Sequence, residues 1–313
     1  MDELSSRWSF IPRGGSGPLE IERAEGVFLY AKDGRQILDA AGGAIVANVG
    51  HGRREVADAI ASAVAEESYV LPPFATPSRL GLVDRLRSHW LPGALQRVYL
   101  GAGGSGTVAA AIRLARQYAV AKGEPERWKV IGRELSYHGT TLATLSAGRQ
   151  RKRRGQLGPL LDDWPTAPAC YCLRCPFETT YPGCGVACVE DFERVIVEAG
   201  PETVAAVIAE PIGGSTGAAL TPPDEYWPRL REICSQYGIV LIADEVMTGF
   251  GRTGELFATR KAGVSPDVLC LAKGLTGGML PFCLLYTSPS PRDQRGSGMG
   301  GGGLKKKKVG GGG

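Results

Sequence analysis

The chain has 313 residues, 43% of them hydrophobic, with 36 Lys and Arg against 32 Asp and Glu and eight cysteines. Such a length and composition fit one large or two ordinary globular domains and exclude a disordered chain or a disulfide-stapled miniature. No apolar stretch approaches the roughly 20 residues a membrane helix needs, and the polar start MDELSSRWSF lacks the apolar region of a secretory signal. The expected setting is therefore the cytoplasm, with no membrane partner. The formal net charge of +4 misleads, because residues 283–313 hold six of the cations and one of the anions. That leaves 30 cations against 31 anions over residues 1–282, a net of −1. A neutral body gives no expectation of nucleic acid as a partner.

In chain order, Arg53 to Glu67 reads as the first helix. Val98 to Leu100 is a short apolar run that leads into Gly101-Ala102-Gly103-Gly104-Ser105-Gly106 and then an Ala-rich helix over Ala109–Ala121. A strand, a glycine turn and a helix in that order present free backbone N–H groups and a positive dipole end to an anion, most often a phosphate. The same six residues also fit G-x-G-x-x-G, the dinucleotide fingerprint of an NAD(P)-binding oxidoreductase. That reading needs an acid at the end of the next strand about 20 residues on, and the nearest, Glu134, lies later. Lys129 to Ile131 is the next strand, followed by Ser136-Tyr137-His138-Gly139 and a basic run, Arg149, Arg151, Lys152, Arg153 and Arg154. The run reads first as a solvated loop and second as a lip that attracts an anionic substrate.

Five cysteines follow within 19 residues: Cys170, Cys172, Cys175, Cys184 and Cys188, spaced C-x-C-x2-C-x8-C-x3-C. The spacing admits a structural metal held by thiolates or a loop of reduced thiols. Beyond it, Val204 to Ala209, Ile239 to Ala243 and Val268 to Ala272 are apolar at every position, as strands covered on both faces of a parallel sheet are. An amphipathic helix over Tyr226–Tyr237, closed by Gly238, separates the first two. Strands alternating with helices mean an α/β fold with a mostly parallel sheet and helices on both faces.

Three of those runs end on a charged residue: Glu210, Asp244 and Lys273. Ligands in open α/β sheets bind at the carboxyl ends of the strands, so the three gather at one edge with the glycine turn. Lys273 alone reads as a strand-end lysine reaching solvent, and Asp244 alone as a helix cap. Together with a phosphate site they read as a Schiff-base lysine and a carboxylate that holds a pyridinium nitrogen protonated. His138 reads as part of the pocket wall, whereas His51 and His89 belong to no constellation.

At Cys283 the character of the chain changes. CLLYTSPSPRD resembles one reading frame of a transposon-based sequencing adapter, and GMGGGGLKKKKVGGGG resembles translated homopolymers; a Gly/Lys linker is the alternative. Residues 283–313 are therefore expected to be disordered and foreign to the domain, which is cut short before a C-terminal small domain.

Residues 1–282 resemble the class III aminotransferases, pyridoxal-phosphate enzymes of fold type I. The most specific element is Leu241-Ile242-Ala243-Asp244-Glu245-Val246-Met247-Thr248-Gly249-Phe250-Gly251-Arg252-Thr253-Gly254, followed by Leu271-Ala272-Lys273-Gly274. The resemblance implies that residues 1–50 belong to the small domain and active-site entrance and that 51–282 are an incomplete cofactor-binding large domain. It makes Lys273 the cofactor lysine and Asp244 the partner of the pyridine nitrogen. Val246 and Tyr137 would take the two ring faces, Gly104 and Ser105 the phosphate, and Glu210 a place near the ring hydroxyl and Asp244. It further implies ping-pong transfer from an ω-amino acid, amine or diamine to a keto acid such as pyruvate or 2-oxoglutarate, by a homodimer. An aminomutase, racemase or decarboxylase on the same fold is the alternative. A similar Cys-rich loop marks a subset of the family. Two departures stand out: Gly106 and Ala109 replace acids common in the phosphate turn, and the partner-subunit threonine and substrate-carboxylate arginine of the family are missing. The chain as written is expected to be inactive.

Overall fold

The computed structural model describes residues 19–287. Three short strands, β1 (Ile21–Glu25), β2 (Phe28–Ala31) and β3 (Gln36–Leu38), pair antiparallel in sequence order as a small sheet. The main sheet has seven strands: β4 (Arg97–Gly101), β5 (Lys129–Arg133), β6 (Thr166–Ala167), β7 (Val204–Ala209), β8 (Val240–Asp244), β9 (Val268–Leu271) and β10 (Cys283–Thr287). Their spatial order is β4-β10-β9-β8-β7-β5-β6, and β10 alone runs against its neighbours.

The unbroken apolar runs have a direct physical cause. Along β8, Leu241 and Ala243 face one core while Val240 and Ile242 face the other; along β9, Leu269 and Leu271 oppose Val268 and Cys270. A strand with a core on each side has no position left for water, so alternation disappears. One core is closed by α3 (Gly104–Ala121), after α1 (Arg54–Glu67) and α2 (Pro77–Arg85); α3 buries Thr107, Val108, Ala111, Ile112, Ala115 and Ala119 at helical spacing. Small residues on that face let the helix lie close on the strands. After the short α4 (Leu142–Ala147), the other core is closed by α5 (Ala187–Ala199) through Val189, Phe192, Val195 and Ile196, and by α6 (Tyr226–Gln236) through Trp227, Leu230 and Ile233. Gly238 ends α6 at φ +63°, the left-handed conformation expected of it.

Three boundaries differ from expectation. The Ala-rich helix starts at Gly104, five residues early, so the glycine turn is itself the first turn of α3. α2 was not foreseen; Thr76 caps it by accepting from the Arg79 N–H, and Pro77 opens it. The third concerns the C-terminal segment. Its expected disorder fails at the first five residues, because Cys283–Thr287 form β10, paired with both β4 and β9, with Leu284 and Tyr286 fully buried. A five-residue apolar run satisfies an internal strand position whatever its origin. Residues 288–313, the rest of that segment, lie outside the described residues.

Candidate active site

The sheet register sets the site. Ala209 of β7 pairs with Ala243 of β8, so Glu210 and Asp244 are the next positions on neighbouring strands, and Asp244 pairs with Cys270 three residues before Lys273. Asp244 is buried at 4% exposure and is held from two sides. Its Oδ2 lies 2.7 Å from His138 Nδ1, and its Oδ1 accepts the Val246 N–H at 3.2 Å. A carboxylate only accepts, so Nδ1 carries the proton and donates. The other ring nitrogen of His138 is buried without a partner among the described residues.

Glu210 is likewise buried, its carboxylate accepting the Tyr137 N–H at 3.1 Å and the Gly214 N–H at 3.4 Å. Burial is the main cause that raises its pKa; the nearby Asp244 adds to this, while His138 and Arg133 oppose it. Behind it, the buried Arg133 guanidinium donates to the Glu210 carbonyl at 2.6 Å and to Tyr226 Oη at 3.3 Å.

The glycine turn has tight neighbours. A Cβ on Gly104 would come within 3.2 Å of Val246 Cγ1, and one on Gly139 within 2.6 Å of Ser105 Oγ. Gly139 also sits at φ +134°, so two independent constraints select glycine there. Ser105 Oγ accepts the Thr140 N–H at 3.1 Å, which ties the turn to the Tyr137-His138-Gly139 loop.

Lys273 follows β9 at φ +43°, an uncommon conformation for a side chain with a Cβ. Burial lowers its pKa, Asp244 and Glu210 pull it back up, and Arg252 lowers it further. The net direction is downward, toward easier loss of the ammonium proton than in an ordinary lysine.

Gly104, Ser105, Tyr137, His138, Glu210, Asp244, Val246 and Lys273 all line one cleft of about 820 Å³. The cleft also takes Gly43 to Val46 from the N-terminal part of the chain and Arg153 from the basic run. Arg153 places its guanidinium 4.4 Å above the Tyr137 ring, a cation–π stack at the cleft mouth. Two of its fellows do structural work instead. Arg154 donates to the carbonyls of Leu145, Ser146 and Gly148, and Arg149 to that of Trp164. Only a fold could separate these roles, since the five cations look alike in sequence.

Two sequence readings need correction. The dinucleotide alternative fails on topology: β5, which carries Glu134 at its end, is five strands away from β4 and its glycine turn. At about 4.8 Å per strand that is about 24 Å, beyond the reach of one nucleotide's ribose. His51 does belong to a constellation, with Nε2 2.9 Å from Asp39 Oδ2, while Asp39 also accepts the Gly43 N–H at 2.8 Å. That pair shapes the segment bordering the cleft.

The cysteine cluster lies apart from this cleft. All five of its thiols are free, and no three His, Cys, Asp or Glu side chains among the described residues stand arranged as metal ligands. No helix among those residues is long and apolar enough to cross a membrane.

Residues 11–301 match the family Aminotransferase class-III. The putrescine–pyruvate aminotransferase of Pseudomonas aeruginosa is 38% identical over 270 residues, covering 84% of this chain and 58% of the relative. A probable aminotransferase of Mycobacterium tuberculosis is 36% identical, covering 90% of this chain and 60% of its own length. Among solved structures, the pyridoxal-phosphate-bound amine transaminase of an uncultivated Pseudomonas species superposes with a TM-score of 0.86 at 36% identity, over 92% of this chain and 67% of that one. The chain thus spans about 60% of the length of such curated relatives. It belongs to the class III aminotransferases, its sheet is that of the fold type I large domain, and pyridoxal phosphate is the family's cofactor.

Proposed function

We propose that this class III aminotransferase, at its full length, moves an amino group from an ω-amino acid, amine or diamine to a keto acid such as pyruvate or 2-oxoglutarate. The carrying observation is the convergence of Lys273, Asp244 and the N-terminal turn of α3 in one cleft. The residues fit the cofactor: an 18-residue helix offers its N-terminus, Val246 and Tyr137 border the space between, and a buried carboxylate lies at the end of β8.

Pyridoxal phosphate supplies, when bound, an aldehyde that condenses with amines and a pyridinium ring that draws electrons from the substrate carbon. The N–H groups of Gly104 and Ser105 would take the phosphate, in a turn where a side chain on Gly104 would press on Val246. Asp244 would hold a proton on the ring nitrogen, and His138 fixes the carboxylate for that task. Lys273 would hold the cofactor through its amine, and the same side chain would move the proton at the substrate carbon. Glu210, aimed by the Tyr137 and Gly214 N–H groups, shapes the polar side of the ring site. Arg153 at the mouth favours donors with a distal anionic group.

The two half-reactions alternate, so the donor product leaves before the acceptor binds. The putrescine–pyruvate relative supports pyruvate as acceptor and a diamine among the donors. A homodimer in the cytoplasm is the assembly we infer: Tyr69, Leu71 and Phe74 are 78%, 53% and 61% exposed along one segment, and eight free thiols suit a reducing compartment.

A donor panel of putrescine, β-alanine and taurine with pyruvate, read as alanine formed by the full-length protein, tests the reading. Alanine that depends on donor and on Lys273 is expected. Amine isomerised or decarboxylated without any keto acid would overturn it in favour of mutase or decarboxylase chemistry.

A further inference from the structure

Residues 168–186 connect β6 to α5 and contain only the 3-10 turn Cys172–Arg174 as regular structure. A connection of that length inside a compact domain is uncommon unless something holds it. The chain has eight cysteines, and four lie in this connection with a fifth, Cys188, in the first turn of α5.

Cys172, Cys175, Cys184 and Cys188 line one cavity of about 20 Å³. That volume has room for one water or one monatomic ion. The remaining walls are side chains such as Pro176, Tyr181, Val186 and Pro223, and no His, Asp or Glu borders it. Cys170 is set apart from the four. It does not line the cavity but is buried in the core behind it at 5% exposure, with its thiol close to that of Cys188.

The four cavity thiols form two short pairs, C-x2-C and C-x3-C, each within the spacing that lets two sulfurs of one turn reach one ion. Four thiols with no carboxylate or imidazole beside them select a soft or borderline cation over calcium or magnesium. We propose that Cys172, Cys175, Cys184 and Cys188 bind one zinc ion as a tetrathiolate, stapling the connection to the N-terminal end of α5. Each thiol gives its proton to solvent as its sulfur–zinc bond forms, and no electron is transferred. The four sulfurs surround the cavity without standing arranged as ligands, and the proposal requires their side chains to turn inward on binding.

The staple has a consequence for the active site. Cys170, in contact with one proposed ligand, neighbours Arg133, and Arg133 holds the Glu210 carbonyl and the Tyr226 hydroxyl at the start of α6. The metal site therefore stands behind the strand end that presents Glu210 to the cleft.

The test uses the whole chain, stripped of metal by chelator under reductant and titrated with Zn2+ alone and with Co2+ alone. One equivalent per chain is expected by elemental analysis, with Co2+ giving the ligand-field and sulfur-to-metal charge-transfer bands of a tetrahedral tetrathiolate. Cys184→Ser should lose stoichiometric binding, and Cys170→Ser should retain it. Failure of the wild-type chain to take up one equivalent of either ion would overturn the proposal. So would equal uptake by a Cys172→Ser/Cys184→Ser double variant, or a Cys170–Cys188 disulfide in place of metal in the reductively handled protein. Should Cys184→Ser fail to fold, the Co2+ spectrum of the wild-type chain decides alone.

Discussion

Lys273 is placed by β9 and tuned by what surrounds it. Burial lowers its pKa below that of an ordinary lysine, and Arg252 adds to the effect. The amine should therefore become reactive at a lower pH than surface lysines, and replacing Arg252 by Gln should move the midpoint upward. The pH dependence of Lys273 labelling by an amine-selective reagent, followed by peptide mapping, measures both. A midpoint indistinguishable from that of a lysine in the unfolded chain contradicts the assignment. Gly106 makes a second prediction. It lies in the first turn of α3, has no positive φ, and a Cβ there meets nothing within 4 Å. Gly106→Glu should stabilise the chain by about 1 kcal/mol through helix propensity and the helix dipole, read as a higher denaturant midpoint. Gly139→Ala should do the opposite, because its Cβ meets Ser105 and its φ disfavours any side chain; strain of about 1–3 kcal/mol and weakened phosphate binding are expected. The charged strand ends and the glycine turn could be read from sequence because each follows an apolar run directly. Arg153 and His51 could not, since their partners Tyr137 and Asp39 are set by loops whose path no local pattern encodes.

At the scale of elements, Glu245 shows how a residue beside the site serves the fold. It is fully buried, and burial raises its pKa despite donors that counter the effect. Its carboxylate accepts from Thr248 Oγ1 at 2.8 Å, Ala258 N at 2.7 Å, and Thr259 N and Oγ1 at 2.8 and 2.6 Å. Those bonds fasten the short helix Ala258–Lys261 to the end of β8. Glu245→Ala leaves the donors unsatisfied and should cost about 3 kcal/mol, visible as a lower denaturant midpoint at unchanged slope. Gly132 marks a second junction: a Cβ there would collide with the Ala147 carbonyl at the end of α4, so Gly132→Ala should push α4 off β5. Strand and helix types followed from periodicity, because a doubly covered strand and an amphipathic helix differ in pattern. Their ends did not. The start of α3 lies in a glycine-rich turn of poor propensity and is fixed by the burial of Thr107 and Val108.

For the whole molecule, β10 is the strand on which the sheet depends. Within the sheet it alone pairs β4, the strand that leads into the glycine turn, with the strands that carry Lys273, Asp244 and Glu210. A chain ended at Phe282 should therefore leave β4 and β9 with unpaired edges and aggregate, as size-exclusion chromatography with light scattering can show. A soluble, monodisperse product of that length would refute the role given to β10. The likeness of CLLYTSPSPRD to translated adapter hid the strand Cys283–Thr287, because a sheet selects for apolar character and not for origin. The central claim is that the elements at this sheet edge make Lys273 the residue that captures pyridoxal phosphate. The most direct measurement is to incubate the chain with pyridoxal phosphate, reduce it with borohydride and map the modified peptides. A pyridoxyl group on Lys273 alone, lost in Lys273→Ala, is the predicted result. Modification spread over surface lysines, with Lys273 spared, would contradict the account.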